Sequence, residues 1–250
     1  MTGTPNTPRL DAKLGFVTGL AAEAKLVEKA FARTGGLERH REPGVACDGP
    51  GPERAAAAAA RLARDGAAVL ISFGICGGLD PELRPGDLLL ADTVLTGDGA
   101  RYPASSEQRQ VLAARLSDLG FRIAAGALLG QDRPLASAAD KGARFAATGA
   151  RAVDMESHGV ARAAQAAARP FLVVRAIADP AERNLPRAAL KAIGPDGRLK
   201  LFPALAAMYL RPWESPALVR LTYETRLAFD TLEKIAARLA EPGGGLFGGG

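Results

Sequence analysis

Short apolar runs alternate along this chain with longer stretches in which alanine, leucine and charged residues recur at helical spacing. LGFVTGL (14–20), bounded by glycine, predicts a strand, and AAEAKLVEKAFAR (21–33) predicts a helix. GVACDG follows, and then PERAAAAAARLARDG (52–66) reads as an alanine-rich helix with proline at its start, where the missing N–H is harmless. AAVLISFG (67–74) is continuously apolar, as expected of a strand covered on both faces. GDLLLADTVL (86–95), FRIAAGALLG (121–130) and RPFLVVRAIAD (169–179) repeat that strand pattern. SSEQRQVLAARLSDLG (105–120) and SAADKGARFAATG (137–149) are helical. Between them, AVDMESHGVARAAQAAA opens as a short apolar run, breaks at Asp-Met-Glu and continues as an alanine-rich helix.

Strands and helices alternating at these lengths predict an α/β fold: a single domain with a mixed, mostly parallel central β-sheet flanked by helices. The domain spans 11–240, with 195–240 a C-terminal helical extension, and the Gly-, Pro- and Thr-rich ends 1–10 and 241–250 are flexible tails. In the extension, Leu221, Ala228, Leu232, Ile235 and Leu239 fall on one helical stripe, with Thr225 filling the gap. Arg220, Glu224, Asp230, Lys234 and Arg238 form the opposite face. Mixed signs there predict a helix docked on the domain with a solvated outer face.

Composition narrows the class. Hydrophobic residues make up 48% of the 250 positions and charged residues 24%, enough for a substantial core. The formal charge of +5 comes from scattered arginines rather than a basic stripe, so no nucleic-acid partner is expected. Two cysteines, Cys47 and Cys76, and two histidines supply neither a disulfide framework nor the usual zinc ligands. No charged leader precedes an apolar run and no run approaches the length of a membrane span, so a cytoplasmic protein is expected.

Three groups of residues fall at predicted strand ends, where open α/β sheets bind ligands. Gly19 ends the first strand and Glu23 lies in the first turn of the helix after it. Gly74, Cys76, Gly77 and Gly78 follow a buried strand, where backbone can approach a ligand closely. The pattern is not GxGxxG, and Pro81 and Pro85 prevent the helix of a dinucleotide site. The third group is Asp154, Met155 and Glu156, with Asp179 at the end of the next strand. Each acid alone could cap or polarise a helix; together they point to a site.

In that order, GLAAE, GPGPERAAAAA, GICGGLDPELRPGDLLLAD, VDMES and RAIAD resemble motifs of the nucleoside phosphorylase and nucleosidase family, over roughly residues 14–182. The family holds purine nucleoside phosphorylase, uridine phosphorylase and methylthioadenosine/S-adenosylhomocysteine nucleosidase. The resemblance implies that Glu156 takes the ribose 2′- and 3′-hydroxyls and Met155 packs under the sugar. It makes Asp179 the acid at purine N7 and Glu23 the carboxylate that activates water. Such groups act where charge develops as a ribosyl C–N bond breaks. Gly19, Gly74, Cys76, Gly77 and Asp132 are implied for the loops around base and phosphate, and Asp154 is implied to be structural. Ile75 replaces the family's Ser or Thr, so backbone near Gly19 and Gly74, or Arg101, would have to substitute in holding phosphate. GQDRPLAS lacks the aromatic residue that stacks the base in the nucleosidases.

Within the family, SFG-x-x-GGLDP-x-LRPGD, DGARYP, AVDMESH and ADPA-x-R-x-LP are similar to the bacterial hopanoid-associated phosphorylases. That likeness implies release of adenine from adenosylhopane, with His158 facing the site and Phe202, Met208, Tyr209, Trp213 and Phe229 offering an apolar 5′-side groove. No cofactor is implied, only inorganic phosphate as a co-substrate. The implied partners are a small nucleoside or nucleoside-lipid, a homo-oligomeric copy and a transient inner-membrane contact. A methylthioadenosine/S-adenosylhomocysteine nucleosidase and a non-catalytic nucleoside-binding protein are the alternatives.

Overall fold

A computed structural model describes residues 13–34, 43–186, 189, 194, 196–198 and 215–241. The elements are β1 (Leu14–Val17), α1 (Ala21–Arg33), β2 (Gly44–Ala46), α2 (Pro52–Arg64), β3 (Val69–Gly78), β4 (Leu88–Leu95) and β5 (Arg101–Pro103). They continue with α3 (Ser106–Leu116), β6 (Ile123–Gly130), α4 (Ala138–Thr148), β7 (Ala152–Asp154), α5 (Ser157–Ala166), β8 (Phe171–Asp179) and α6 (Ser215–Ala240). No helix among the described residues is long and apolar enough to cross a membrane.

The eight strands form one mixed, mostly parallel sheet. β3 pairs β8 in parallel and, through its far end, β7 antiparallel. β8 also pairs β4, β4 pairs β6, and β6 pairs β7, so five strands close into a ring. β1 and β2 extend the sheet from β3, and the short β5 from β4. Ring closure leaves β3 and β8 without a free edge, which suits segments with no polar side to offer water.

Side chains alternate across the sheet as strand geometry requires. Val69, Ile71 and Phe73 enter one apolar layer with Phe16 and the α6 residues Ala228, Leu232 and Ile235. Leu70 enters the other, with Val17 and the alanines of α2 and α5. Those alanines let the two helices approach closely: a Cβ on Gly159 would lie 2.1 Å from the Pro52 carbonyl oxygen.

Three expectations change. β3 continues through Ile75-Cys76-Gly77-Gly78, which the sequence pattern places after the strand, with a register shift between Cys76 and Gly77. Glycine is tolerated there because β8 crowds it: a Gly77 Cβ would sit 3.3 Å from Asp179 Oδ2. β5 is too short for a periodicity to reveal. On α6, Asp230 and Lys234 are exposed, whereas Glu224 is buried and half-buried Arg238 pairs with Asp118, so this face is only partly solvated. Phe202, Met208, Tyr209 and Trp213, the tail 1–10, and all of the tail 241–250 except Glu241 lie outside the described residues, whereas Phe229 is half-buried on α6.

Ile235 is fully buried between α6 and the sheet. Ile235→Ala should lower unfolding free energy by about 2–5 kcal/mol, whereas exposed Asp230→Ala should change it by less than about 0.5 kcal/mol. Urea denaturation of the two variants measures both.

Candidate active site

The C-terminal ends of β1, β3, β7 and β8 meet around one fully buried cation, Arg175. It sits on β8 between Val173 and Ile177, on the strand face that otherwise packs against the α2 and α5 side. Its Nε lies 2.7 Å from Asp154 Oδ2, an ion pair that is off-line for a hydrogen bond. Nη2 lies 3.3 Å from Glu156 Oε2 and donates to Ser72 Oγ at 2.7 Å, while Nη1 donates to the Ile75 carbonyl at 3.2 Å. Ser72 Oγ meets Ser157 Oγ at 2.9 Å, and Ser157 Oγ donates in turn to Asp154. Asp154 also accepts the Ser157 N–H, bending the chain from β7 into α5. These contacts tie Asp154 to the β7–α5 turn and to Arg175.

Glu23, in the first turn of α1, points back into the sheet rather than to solvent. Its Oε2 accepts N–H groups from Gly19 (3.1 Å) and Leu20 (2.9 Å), and Oε1 accepts the Ile75 N–H at 2.9 Å. Gly74 makes this approach feasible: a Cβ there would lie 2.5 Å from Glu23 Oε1 and 2.6 Å from Arg175 Nη1. Glu156, at the entrance to α5, accepts the Gly51 N–H at 3.3 Å, and a Cβ on Gly19 would be 2.8 Å from its Oε1. The GPGPERAAAAA motif is therefore part of the site through Gly51.

One guanidinium faces three buried carboxylates, and two of them, Glu23 and Glu156, are held above their ordinary range. Burial pushes the Glu23 carboxyl above the usual range, against Arg175 and the three backbone donors. Burial also pushes Glu156 up to about 7, opposed by Arg175 and reinforced by Asp154 and Glu23. Asp179, at the end of β8, is raised by burial against the nearby Lys141 ammonium. Burial raises the Cys76 thiol well above its ordinary value, so it is not a nucleophile.

Gly19, Glu23, Gly74, Cys76, Gly77, Met155, Glu156 and Asp179 thus lie on the strand ends and turns that frame this cluster, Met155 half-buried beside Glu156. His158 and Asp132 are brought together, but with each other: His158 Nε2 is 3.1 Å from Asp132 Oδ1, while its buried Nδ1 has no hydrogen-bond partner among the described residues. Gly130 leaves room for the ring. Arg101 is exposed on β5 and bonds to none of these acids among the described residues. The sequence reading missed Arg175, Ser72, Ser157 and Lys141. The signal for Arg175 was present: a single arginine interrupts the apolar run FLVVRAIAD.

Glu156 binds its proton more tightly folded than unfolded, so its contribution to stability is complete below pH about 4.5 and is lost as pH rises through about 7. Urea midpoints of wild type should fall relative to Glu156→Gln across that interval. Parallel curves for the two proteins would remove the assignment.

Residues 13–201 match the model of the Phosphorylase superfamily. In a comparison with curated proteins, no sequence matches. Among solved structures, methylthioadenosine/S-adenosylhomocysteine nucleosidase from Neisseria meningitidis, in complex with methylthio-immucillin-A, superposes with a TM-score of 0.68 at 16% identity, covering 91% of this chain and 97% of that one. A mutant of the Helicobacter pylori nucleosidase with 5′-methylthioadenosine in the active site gives 0.65 at 16% identity, covering 90% and 97%. Futalosine hydrolase of Helicobacter pylori gives 0.61 at 18% identity, covering 67% and 88%. The fold is shared with all three, and the chain belongs to the Phosphorylase superfamily as an enzyme of the phosphorylase and nucleosidase type.

Proposed function

We propose that this enzyme hydrolyses the N-glycosidic bond of a 5′-substituted adenosine, adenosylhopane, to release adenine and a ribosyl hopane. The observation that carries water over phosphate is the placement of Glu23. Its carboxylate already takes the N–H groups of Gly19, Leu20 and Ile75, the backbone donors an incoming anion would need. Arg175 beside it is committed to Asp154 and Glu156. Beside Glu23 a phosphate dianion would meet like charge, and these described donors are already taken, whereas a neutral water meets a base.

In the reaction the C1′–N9 bond breaks and its electron pair goes to the purine. Asp179 gives a proton to N7, while Glu156 holds the ribose hydroxyls through the acceptor capacity that Gly51 and Arg175 leave open. Water attacks C1′ and its proton passes to Glu23. Burial raises both carboxyls above their ordinary range, which favours proton exchange at each. Support for an adenosine base comes from Asp179, which matches the acid a purine N7 requires. Support for the hopane comes from the AVDMESH, DGARYP and GGLDP segments, which are similar to those of the hopanoid-associated phosphorylases. Mere nucleoside binding would not call for three acids buried around one cation.

Adenine release from adenosylhopane, with methylthioadenosine in parallel, should proceed equally with and without phosphate. Dependence on phosphate would overturn the choice of nucleophile. Cleavage of methylthioadenosine alone would replace the lipid substrate by the nucleosidase reading. Glu23→Gln and Asp179→Asn should each lower kcat/KM by about a hundred- to ten-thousand-fold, with circular dichroism showing the folded state retained.

A further inference from the structure

We propose that Lys141 is a positioning residue for the general acid: its ammonium grips Asp179 by one carboxylate oxygen and leaves the other to face the departing base. The proposal rests on the reading of Asp179 as that acid.

Helix α4 buries a single side chain among its eleven residues, and that side chain is a lysine, fully inaccessible. Leucine or methionine would fill the space without the desolvation of a charge, so packing does not account for it. Its three N–H donors are all placed: on Asp179 Oδ2, on the Pro180 carbonyl at 3.0 Å and on the Arg183 carbonyl at 3.2 Å. One ammonium thus fixes both the acid and the turn that follows it.

That turn is held from three further directions. The Leu185 N–H donates to the Ala136 carbonyl and the Ala138 N–H to Asn184 Oδ1, both at 2.7 Å. Arg183 grips Glu224 of α6 through two bonds, 2.8 and 3.3 Å. The charged and titratable groups around Asp179 are therefore Lys141 on α4, Arg183 on the turn, Glu224 on α6 and Cys76 on β3. Asp179 Oδ1 takes no hydrogen bond from the described residues, and the side chain retains 11% exposure. With Oδ2 held, Oδ1 is the oxygen available to a substrate. Without the ammonium, the carboxyl would be free to rotate and would keep its proton to higher pH.

Full-length wild type, Lys141→Met, Lys141→Arg and Asp179→Asn test this. Lys141→Met should lower kcat about tenfold or more with KM changed by less than about twofold. It should also move the alkaline limb of the kcat profile up by about one pH unit or more. Lys141→Arg should restore the limb. Carboxyl ¹³C titration of labelled aspartate, with Asp179 assigned by its absence from Asp179→Asn, should show the same displacement without any substrate. A lysine that only supports the fold would lower activity and leave both limb and titration in place, which would overturn the proposal. Should Lys141→Met fail to fold, Lys141→Gln keeps a donor without the charge and carries the same readouts. Absence of base release by wild type would sink the functional reading alone, since the carboxyl titration still decides whether Lys141 holds Asp179.

Discussion

Everything in the site is organised by the burial of Arg175. A guanidinium fully withdrawn from water is tolerable only when its charge is balanced, and here Asp154 and Glu156 supply the counter-charge while Ser72 and the Ile75 carbonyl accept its hydrogen bonds. The dependence runs both ways, because Glu156 and Glu23 sit in the same dry space and need the cation. Removing the arginine would strand three carboxylates and remove the anchor between β8, β3 and the turn into α5.

The closed ring of strands explains how so much charge fits in one place. β8 is hydrogen-bonded on both sides, to β3 and β4, so its backbone needs nothing from solvent. Alternation along it then places Arg175 on one face while Val174 and Ala176 enter the opposite apolar layer. The glycines at 74 and 77 remove the side chains that would otherwise hold Glu23, Arg175 and Asp179 apart from β3. Packing and chemistry are therefore not separable here: the same missing Cβ atoms that let β3 and β8 pair closely let the acids converge.

The sequence revealed the parts of this arrangement that interrupt a pattern and concealed the parts that continue one. Glu23, Glu156 and Asp179 stood out because acids at strand ends and helix starts have no packing role. Arg175 was absorbed into a run whose strand character its neighbours had already established. Lys141 was hidden because α4 is otherwise an exposed helix, on which a lysine is unremarked. Glu224 was assigned to a solvated face by helical spacing alone, since its partner Arg183 is distant in the chain. Gly77 and Gly78 fall beyond the apolar run because strand propensity is low for glycine, and only pairing with β7 and β8 makes them strand. Register between segments far apart in sequence is what single-chain periodicity does not carry.

Charge balance separates the roles of acids that composition cannot tell apart. Asp154 is pinned by the Ser157 N–H and hydroxyl and lies against Arg175, which leaves it a structural task. Glu156 is held by one backbone donor and a looser contact to the same arginine, which in the proposed reaction leaves acceptors for the ribose hydroxyls. Glu23 takes backbone donors only, next to a cation already shared, and its burial favours taking a proton. Asp179 answers to a separate cation, Lys141, so in the proposed reaction the acid at the base and the base at the water face different partners. An enzyme that must protonate a leaving group while deprotonating a nucleophile needs that independence.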